Sequence, residues 1–398
     1  MKPRLLPTSL WGRITLGLCV AAALVLVCAT VRFNIKGHFD GIFILKGTSG
    51  WRYELKDDLY VGDGDRVLWS LDFDDPSYRF HELFSGRHRP GEPYLYYEWD
   101  EKDGSGFFRN FLGDGSQILT CFGRYHDDDH LPVHGLFVGG GLPPSVIGGD
   151  NAYMDETGMA YFDGNRWYHL WCNVNEGIIS GKGEVLPPPR WRFLGSRVID
   201  NSTKTVVVAS SHEVEVDGVP LRIDRYVYLN AGDTYFVLQI KVTNIGDSPA
   251  RYHYLYGDEP WVGNYGSSRG NVGWVRDSFV KYATTVDTTR YSWAGFYDFG
   301  NEAAGEEHQY TGKADFIEWF GANRPVVYFS NASGDIEDVD GSKRIPLKSD
   351  TRFLGLQWEG QLLNPRQSAT YTLAVGMAGH DPRTGFPVKP EVKFLGNK

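Results

Sequence analysis

Acidic side chains recur beside aromatic rings along this chain. The densest case is Asp258-Glu259-Pro260-Trp261, which closes a Tyr-rich stretch starting at Tyr252. Others run from Tyr94 to Trp99 and from Trp167 to Trp171, and Trp319 adds a further ring. An aromatic face stacks on the apolar C–H face of a sugar ring, and carboxylates take its hydroxyls. These stretches are therefore candidate carbohydrate contacts, Trp261 first among them. Asp258 and Glu259 also have the chemistry of an acid/base pair. Neighbours on a strand face opposite ways, however, so one of the two is structural.

Other constellations admit plainer readings. His126-Asp127-Asp128-Asp129-His130, with His134 close by, offers imidazoles and carboxylates to a divalent cation, Ca²⁺ as readily as a transition ion. The same run also reads as a solvated acidic loop, and no other cofactor is called for. The segment from Asp335 to Gly341 has Ile336 where a calcium loop needs a ligand, and reads as a turn. Gly139-Gly140-Gly141-Leu142-Pro143-Pro144 lacks the Lys-Ser/Thr of a phosphate loop. No serine nucleophile elbow and no Cys-His arrangement is recognisable.

The elements that must position these groups read as strands. From residue 33 onward, short runs of Val, Ile, Tyr, Phe and Trp are broken by Gly, Asp, Asn and Pro. Leu221 to Leu229, Thr234 to Thr243 and Arg251 to Tyr256 are three predicted strands. The turns between them, at Asn230–Asp233 and Asn244–Asp247, are short enough to join antiparallel neighbours. Thr351 to Glu359 and Ser368 to Met377 are predicted to pair around Asn364-Pro365. No long amphipathic helix and no fixed-period repeat is present. Pro187-Pro188-Pro189 is the one stiff linker signal. It marks either a sub-boundary or a surface loop of one large sandwich.

Composition agrees. With 398 residues the chain holds one large domain or two ordinary ones. Its 15% aromatics argue against disorder. Forty-eight glycines, 20 prolines and 4 methionines suit β-structure with many turns. The net charge of −10, without a basic stripe, argues against nucleic acid as a partner.

Residues 14–31 (ITLGLCVAAALVLVCATV) carry no charge. As a helix they would rise roughly 27 Å, close to a bilayer core of roughly 30 Å. Lys2, Arg4 and Arg13 precede them, which favours a cytoplasmic segment 1–13 and an extracytoplasmic domain 33–398. A signal anchor is the first reading and a cleaved signal peptide the second, although Cys28-Ala29-Thr30 matches a cleavage site poorly. Bulky Val27 disfavours a lipobox at Cys28. Only Cys121 and Cys172 remain in the domain, as a disulfide or as two thiols. Asn201-Ser202-Thr203 and Asn331-Ala332-Ser333 are glycosylation sequons.

Three patches carry a resemblance. The first runs through Asp224-Arg225-Tyr226-Val227-Tyr228-Leu229 and Tyr235 to Pro249, with its Val242-Thr243-Asn244-Ile245-Gly246 turn. The second is Leu356-Gln357-Trp358 followed by Leu363-Asn364-Pro365-Arg366-Gln367-Ser368, where Arg366 replaces the usual Gly. The third is Leu131-Pro132-Val133-His134-Gly135. In these patches, and in their order, the chain resembles the galactose mutarotase-like superfamily. The resemblance implies an all-β fold, a large antiparallel β-sandwich. It implies sugar chemistry in which a Glu takes the anomeric proton while a His protonates the ring oxygen. His134 matches the family's first His. The second would be His253, although family spacing points nearer Tyr256 or Asp258, and strand parity sets His253 on the opposite face from both. Glu359 is the late carboxylate. Tyr256 and Arg225 join Trp261 as substrate contacts.

The expectation is a membrane-anchored, periplasmic or extracellular protein that binds or modifies an envelope or cell-surface carbohydrate. If an enzyme, it would be an epimerase, hydrolase or lyase. The alternative is a non-catalytic scaffold subunit of an envelope assembly, with protein partners and an exposed apolar patch or bare sheet edge.

Overall fold

The computed structural model describes residues 43–47, 50–54, 59–61, 91–102, 104–126, 132–137, 157–164, 167–172, 174–201, 204–260, 262–263, 270–298, 311–331, 344–347 and 352–393. The predicted span 14–31 lies outside them. Among the described residues, no helix is long and apolar enough to cross a membrane. The chain forms two compact units, Met1–Val67 with Asp72–Arg87, and Leu68–Leu71 with His88–Lys398. In the first, Phe43–Gly47, Gly50–Glu54 and Leu59–Val61 form a three-stranded antiparallel sheet.

The second unit is built from three large antiparallel sheets. The nine-stranded sheet runs Arg192–Asn201, Thr205–Val216, Val219–Asn230, Tyr235–Asn244, Ser368–Met377, Asp315–Phe320, Trp293–Asp298, Asn271–Val275 and Ser278–Val280. A six-stranded sheet runs Val185–Leu186, Val174–Ser180, Ala250–Asp258, Phe353–Leu363, Val326–Ser330 and Thr284–Val286. An N-terminal sheet runs Tyr94–Asp100, Ser105–Phe111, Gln117–His126, Thr157–Phe162 and Trp167–Cys172, and Pro132–Phe137 also pairs with Gln117–His126. Pro188–Arg190 is a single 3-10 turn inside this unit.

Strict alternation decides which faces meet. Along Val219–Asn230 every second side chain from Val219 to Leu229 is buried, and those between are partly or fully exposed. The buried set, with Ile240, Leu373 and Val375, packs against Tyr254, Leu356 and Trp358 of the six-stranded sheet and Phe108 and Phe122 of the N-terminal sheet in one core. The opposite face of the large sheet carries Val237, Trp274 and Phe316, against which Phe386 and Val392 of the C-terminal segment pack. That segment is tied down at 2.8 Å from Tyr297 Oη to the Gly385 carbonyl and at 2.7 Å from Lys389 to Glu318.

Two predicted pairings are corrected. Phe353–Leu363 and Ser368–Met377 do not pair with each other, and neither do Tyr235–Asn244 and Ala250–Asp258. In each case the short turn carries the chain from one sheet to the other. Asn244, fully buried, holds both corners. Its Nδ2 donates to the carbonyls of Ser248 and Leu363, both at 2.8 Å, and its Oδ1 accepts from Gly246 N at 2.9 Å. Its backbone exchanges bonds of 2.9 Å with Gln367 and Arg366. Arg366 takes a φ of 66°, in the left-handed region where glycine is at home.

Cys121 and Cys172 stand on strands with Thr157–Phe162 between them. Two strand spacings amount to about 10 Å, beyond the roughly 7 Å that a disulfide spans between Cα atoms.

Candidate functional site

Strand Ala250–Asp258 divides the predicted residues between its two faces. Tyr252, Tyr254 and Tyr256 belong to the sandwich core, so by alternation Asp258 points inward with them and His253 and Leu255 point outward. Among the predicted residues, Arg225, Tyr256 and Asp258 are therefore together inside. His253 and Glu359 are together outside.

The interior group is closed. Arg225 reaches from the large sheet to form an ion pair with Glu176 on Val174–Ser180, and Tyr254 Oη donates to the same carboxylate. Arg225 and Tyr256 are 1% exposed, Tyr254 and Asp258 0%. Burial lowers the Arg225 pKa against the opposing influence of Tyr254 and Tyr256. Burial raises the Tyr256 pKa, and the Asp258 charge beside it adds to the rise. Such a pair, desolvated on every side, contributes less to net stability than its Coulomb energy suggests, but loss of one partner strands the other charge.

The outer face has a different character. Gly257 and Gly355 stand side by side in the ladder. A Cβ on Gly257 would come 2.4 Å from the Phe353 ring, and one on Gly355 would come 2.2 Å from the Tyr328 ring. Both rings therefore lie down on a glycine pair, and with Leu255 they form a buried apolar cluster. Gln357, 4% exposed, follows on the same face, opposite Leu255. Its Nε2 donates to Glu359 Oε1 at 3.4 Å, which aims Oε1 away from that carboxylate. Gln357 Oε1 and His253 Nδ1 are buried atoms with no hydrogen-bond partner among the described residues. His253 is half-buried and Glu359 exposed, so the face grades from an apolar floor to a polar rim.

A bulge sets this rim. Tyr252 pairs with Gln361 and Tyr254 with Trp358, so His253 alone opposes Glu359 and Gly360. Gly360 takes the φ of 60° that the extra residue requires. Asn323 braces the bulge, its carbonyl accepting from Trp358 Nε1 at 3.0 Å and its Nδ2 donating to Gln361 at 2.8 Å.

Beyond the Val174–Asp258 pair, His169 and Gly263 form an isolated antiparallel bridge, exchanging two backbone hydrogen bonds of 2.9 Å. His169 is buried, and burial lowers its pKa to about 3, so it is neutral. Nearby, Asp298 accepts from Thr311 N at 2.8 Å and Oγ1 at 2.6 Å. Asp315 accepts from Phe296 N at 2.5 Å, and burial raises its pKa well above the usual carboxylate value.

Trp261 lies outside the described residues, as do the side chain of His134 on Pro132–Phe137 and residues 127–131, 138–156 and 332–343. Among the described residues, no group of three or more His, Cys, Asp or Glu could hold a metal ion.

Glu176, Tyr254 and Gln357 escaped the sequence reading. A signal existed in each case. Gln357 is the one polar residue in Phe353-Leu354-Gly355-Leu356-Gln357-Trp358, and Glu176 is the one acid in Val174-Asn175-Glu176-Gly177-Ile178-Ile179. A lone polar group inside an apolar strand has to find a partner or a ligand.

No family model matches the chain. No curated protein matches it either. Solved structures do. A galactose mutarotase-like protein from Clostridium acetobutylicum matches over 72% of this chain and 98% of its own, at 8% identity and a TM-score of 0.36. An aldose epimerase homologue from C. elegans matches over 72% and 98%, at 11% identity and a TM-score of 0.32. An α-galactosidase from Lactobacillus brevis matches over 71% of this chain and 39% of its own, at 6% identity and a TM-score of 0.32.

Proposed function

We propose that this chain binds a carbohydrate on the outer face of its six-stranded sheet, at His253, Gln357 and Glu359. One observation carries the reading: His253 Nδ1 and Gln357 Oε1 are buried on one face without a hydrogen-bond partner among the described residues. A buried acceptor left unpaired costs about 1–3 kcal/mol. A sugar hydroxyl would supply the missing donor for Gln357. Gln357 is an amide and cannot take a proton, so binding is favoured over turnover. If the site turns a glycan over, Glu359 is the carboxylate available on this face. The same reading tethers the domain to a membrane by residues 14–31 and places it against an envelope or cell-surface glycan. The sequence pattern of that span supports this.

The scaffold reading has less support. The edge strand Arg192–Asn201 is interrupted by two register shifts, and Glu101 already accepts from Val198 N at 3.0 Å. An edge broken and plugged in this way resists strand addition.

The test is a thermal-shift screen of the full-length chain in mild detergent against mono- and oligosaccharides, with and without Ca²⁺. A ligand at about 100 times its Kd stabilises by roughly 2.7 kcal/mol. A sugar-specific shift that disappears in Gln357→Leu and His253→Ala is the expected result. A folded sample that responds to no sugar, or a shift that both variants retain, overturns the assignment.

A further inference from the structure

The rim carboxylate is held by a chain of amides that starts in the core. Trp358, 1% exposed, closes on the Tyr371 ring with centroids 4.8 Å apart. Its Nε1 donates to the Asn323 carbonyl at 3.0 Å. Asn323 stands in the corner where the chain leaves Asp315–Phe320 of the nine-stranded sheet for Val326–Ser330 of the six-stranded one. Arg324 holds the same corner, its Nη1 donating to the Thr288 carbonyl at 2.5 Å. From here Asn323 Nδ2 donates to Gln361 Oε1 at 2.8 Å, and Gln361 Nε2 donates to the Glu359 carbonyl at 2.7 Å.

The far end of this chain is a backbone carbonyl, which can only accept. Gln361 must therefore turn its Nε2 toward Glu359 and its Oε1 toward Asn323, and Asn323 must answer with its own N–H. The sense of both amides is fixed by that one acceptor. The extra residue of the bulge lies on Phe353–Leu363, where Glu359 and Gly360 together oppose His253. A bulge re-aims the side chain it carries. The bond on the Glu359 carbonyl, with the φ of 60° at Gly360, fixes the backbone from which that side chain departs. Gln357 Nε2 meets the carboxylate itself at 3.4 Å. We infer that Asn323 and Gln361 are positioning residues that aim Glu359 on the outer face, opposite His253. The inference rests on the outer-face carbohydrate site for its functional meaning, but its physical content concerns Glu359 alone.

The test uses the full-length chain with isotope-labelled glutamate. The side-chain carboxyl signal of Glu359 is identified by its loss in Glu359→Gln. It is then followed in Asn323→Ala, in Gln361→Leu and in the double variant. Asn323→Ala keeps the backbone carbonyl that Trp358 uses and removes only the side-chain donor. D-glucose, D-galactose and N-acetylglucosamine serve as binding probes. The expected result is a shifted or split Glu359 signal in both single variants. The double variant should add nothing to Gln361→Leu, since Asn323 acts through Gln361. For any probe that binds, Kd should weaken about threefold to tenfold, the range given by one net hydrogen bond. A merely structural brace would lower the urea midpoint and leave the Glu359 signal in place. An unchanged Glu359 signal in both single variants therefore overturns the inference, whatever the sugars do. So does a probe that parent and variants bind equally. A changed signal in a chain that binds none of the probes upholds the positioning role and counts against the carbohydrate reading, so the two failures are separable.

Discussion

The two faces of strand Ala250–Asp258 place polar side chains in different circumstances. Inside, Tyr252 and Tyr254 reach defined partners on other strands and the charges of Glu176 and Arg225 cancel each other, while Tyr256 Oη is a buried atom without a hydrogen-bond partner among the described residues. Outside, His253 and Gln357 each keep a buried atom without a hydrogen-bond partner among the described residues, and Glu359 is in solvent. A polar group whose needs are met within the fold specifies structure. One whose needs are unmet is available to something else. The comparison teaches that burial of a predicted site residue is not enough to judge it, and that its hydrogen-bond inventory has to be read with it.

The sharpest way to break this contrast is to remove one interior charge. Glu176→Ala or Arg225→Ala should cost about 3–5 kcal/mol, because each leaves a buried charge alone. Urea unfolding of either variant should show it. Replacing both by apolar residues of similar volume should recover most of the loss. A single variant that unfolds like the parent would mean that the interior pair is not a structural tie.

The next effect is in the pH dependence of stability. His169 titrates at about 3 in the fold against 6.5 unfolded. The unfolded chain therefore binds the extra proton, and stability is lost as pH falls from 6.5 toward 3, by up to about 1.4 kcal/mol per pH unit. Asp315 acts with the opposite sign. Its folded pKa is raised, so it weakens the fold as pH rises above 3.8. Asp315→Asn should raise the melting temperature at pH 7 and flatten that slope. Thermal melts from pH 4 to 8 on the parent and on this variant check both signs.

Gly257→Ala tests the outer floor. The added methyl meets the Phe353 ring and the Leu354 carbonyl, and overpacking of this kind costs about 1–3 kcal/mol. The smallest expected effect is at the rim. Glu359→Gln should shift stability by no more than about 0.5 kcal/mol, as surface changes do, while saccharide binding weakens. A large stability loss there would move Glu359 to the structural side of the comparison.

The strands of the sandwich were legible because their alternation is strict. Ser368–Met377 appears where it was predicted, and Leu221 to Leu229 falls inside Val219–Asn230. Pairing was less legible. A turn of a few residues joins neighbours in one sheet or crosses between two, and the sequence around Asn244 and Asn364 does not distinguish these until the partners of Asn244 are known. For the site, strand parity correctly separates His253 from Tyr256 and Asp258. It does not say which face is satisfied, since that depends on Glu176, Arg225 and Tyr371, brought in from distant strands.

The double corner at Asn244 also bears on how the chain reaches this structure. One amide group joins the turn after Tyr235–Asn244 to the turn before Ser368–Met377, bonding a carbonyl 119 residues away. Neither corner is complete until that long loop has closed. The entropy of closure must be lost before these bonds can repay it, which is the circumstance that slows folding of non-local β-topologies. Asn244 therefore belongs to a late step of assembly, and its replacement should speed unfolding more than it slows folding.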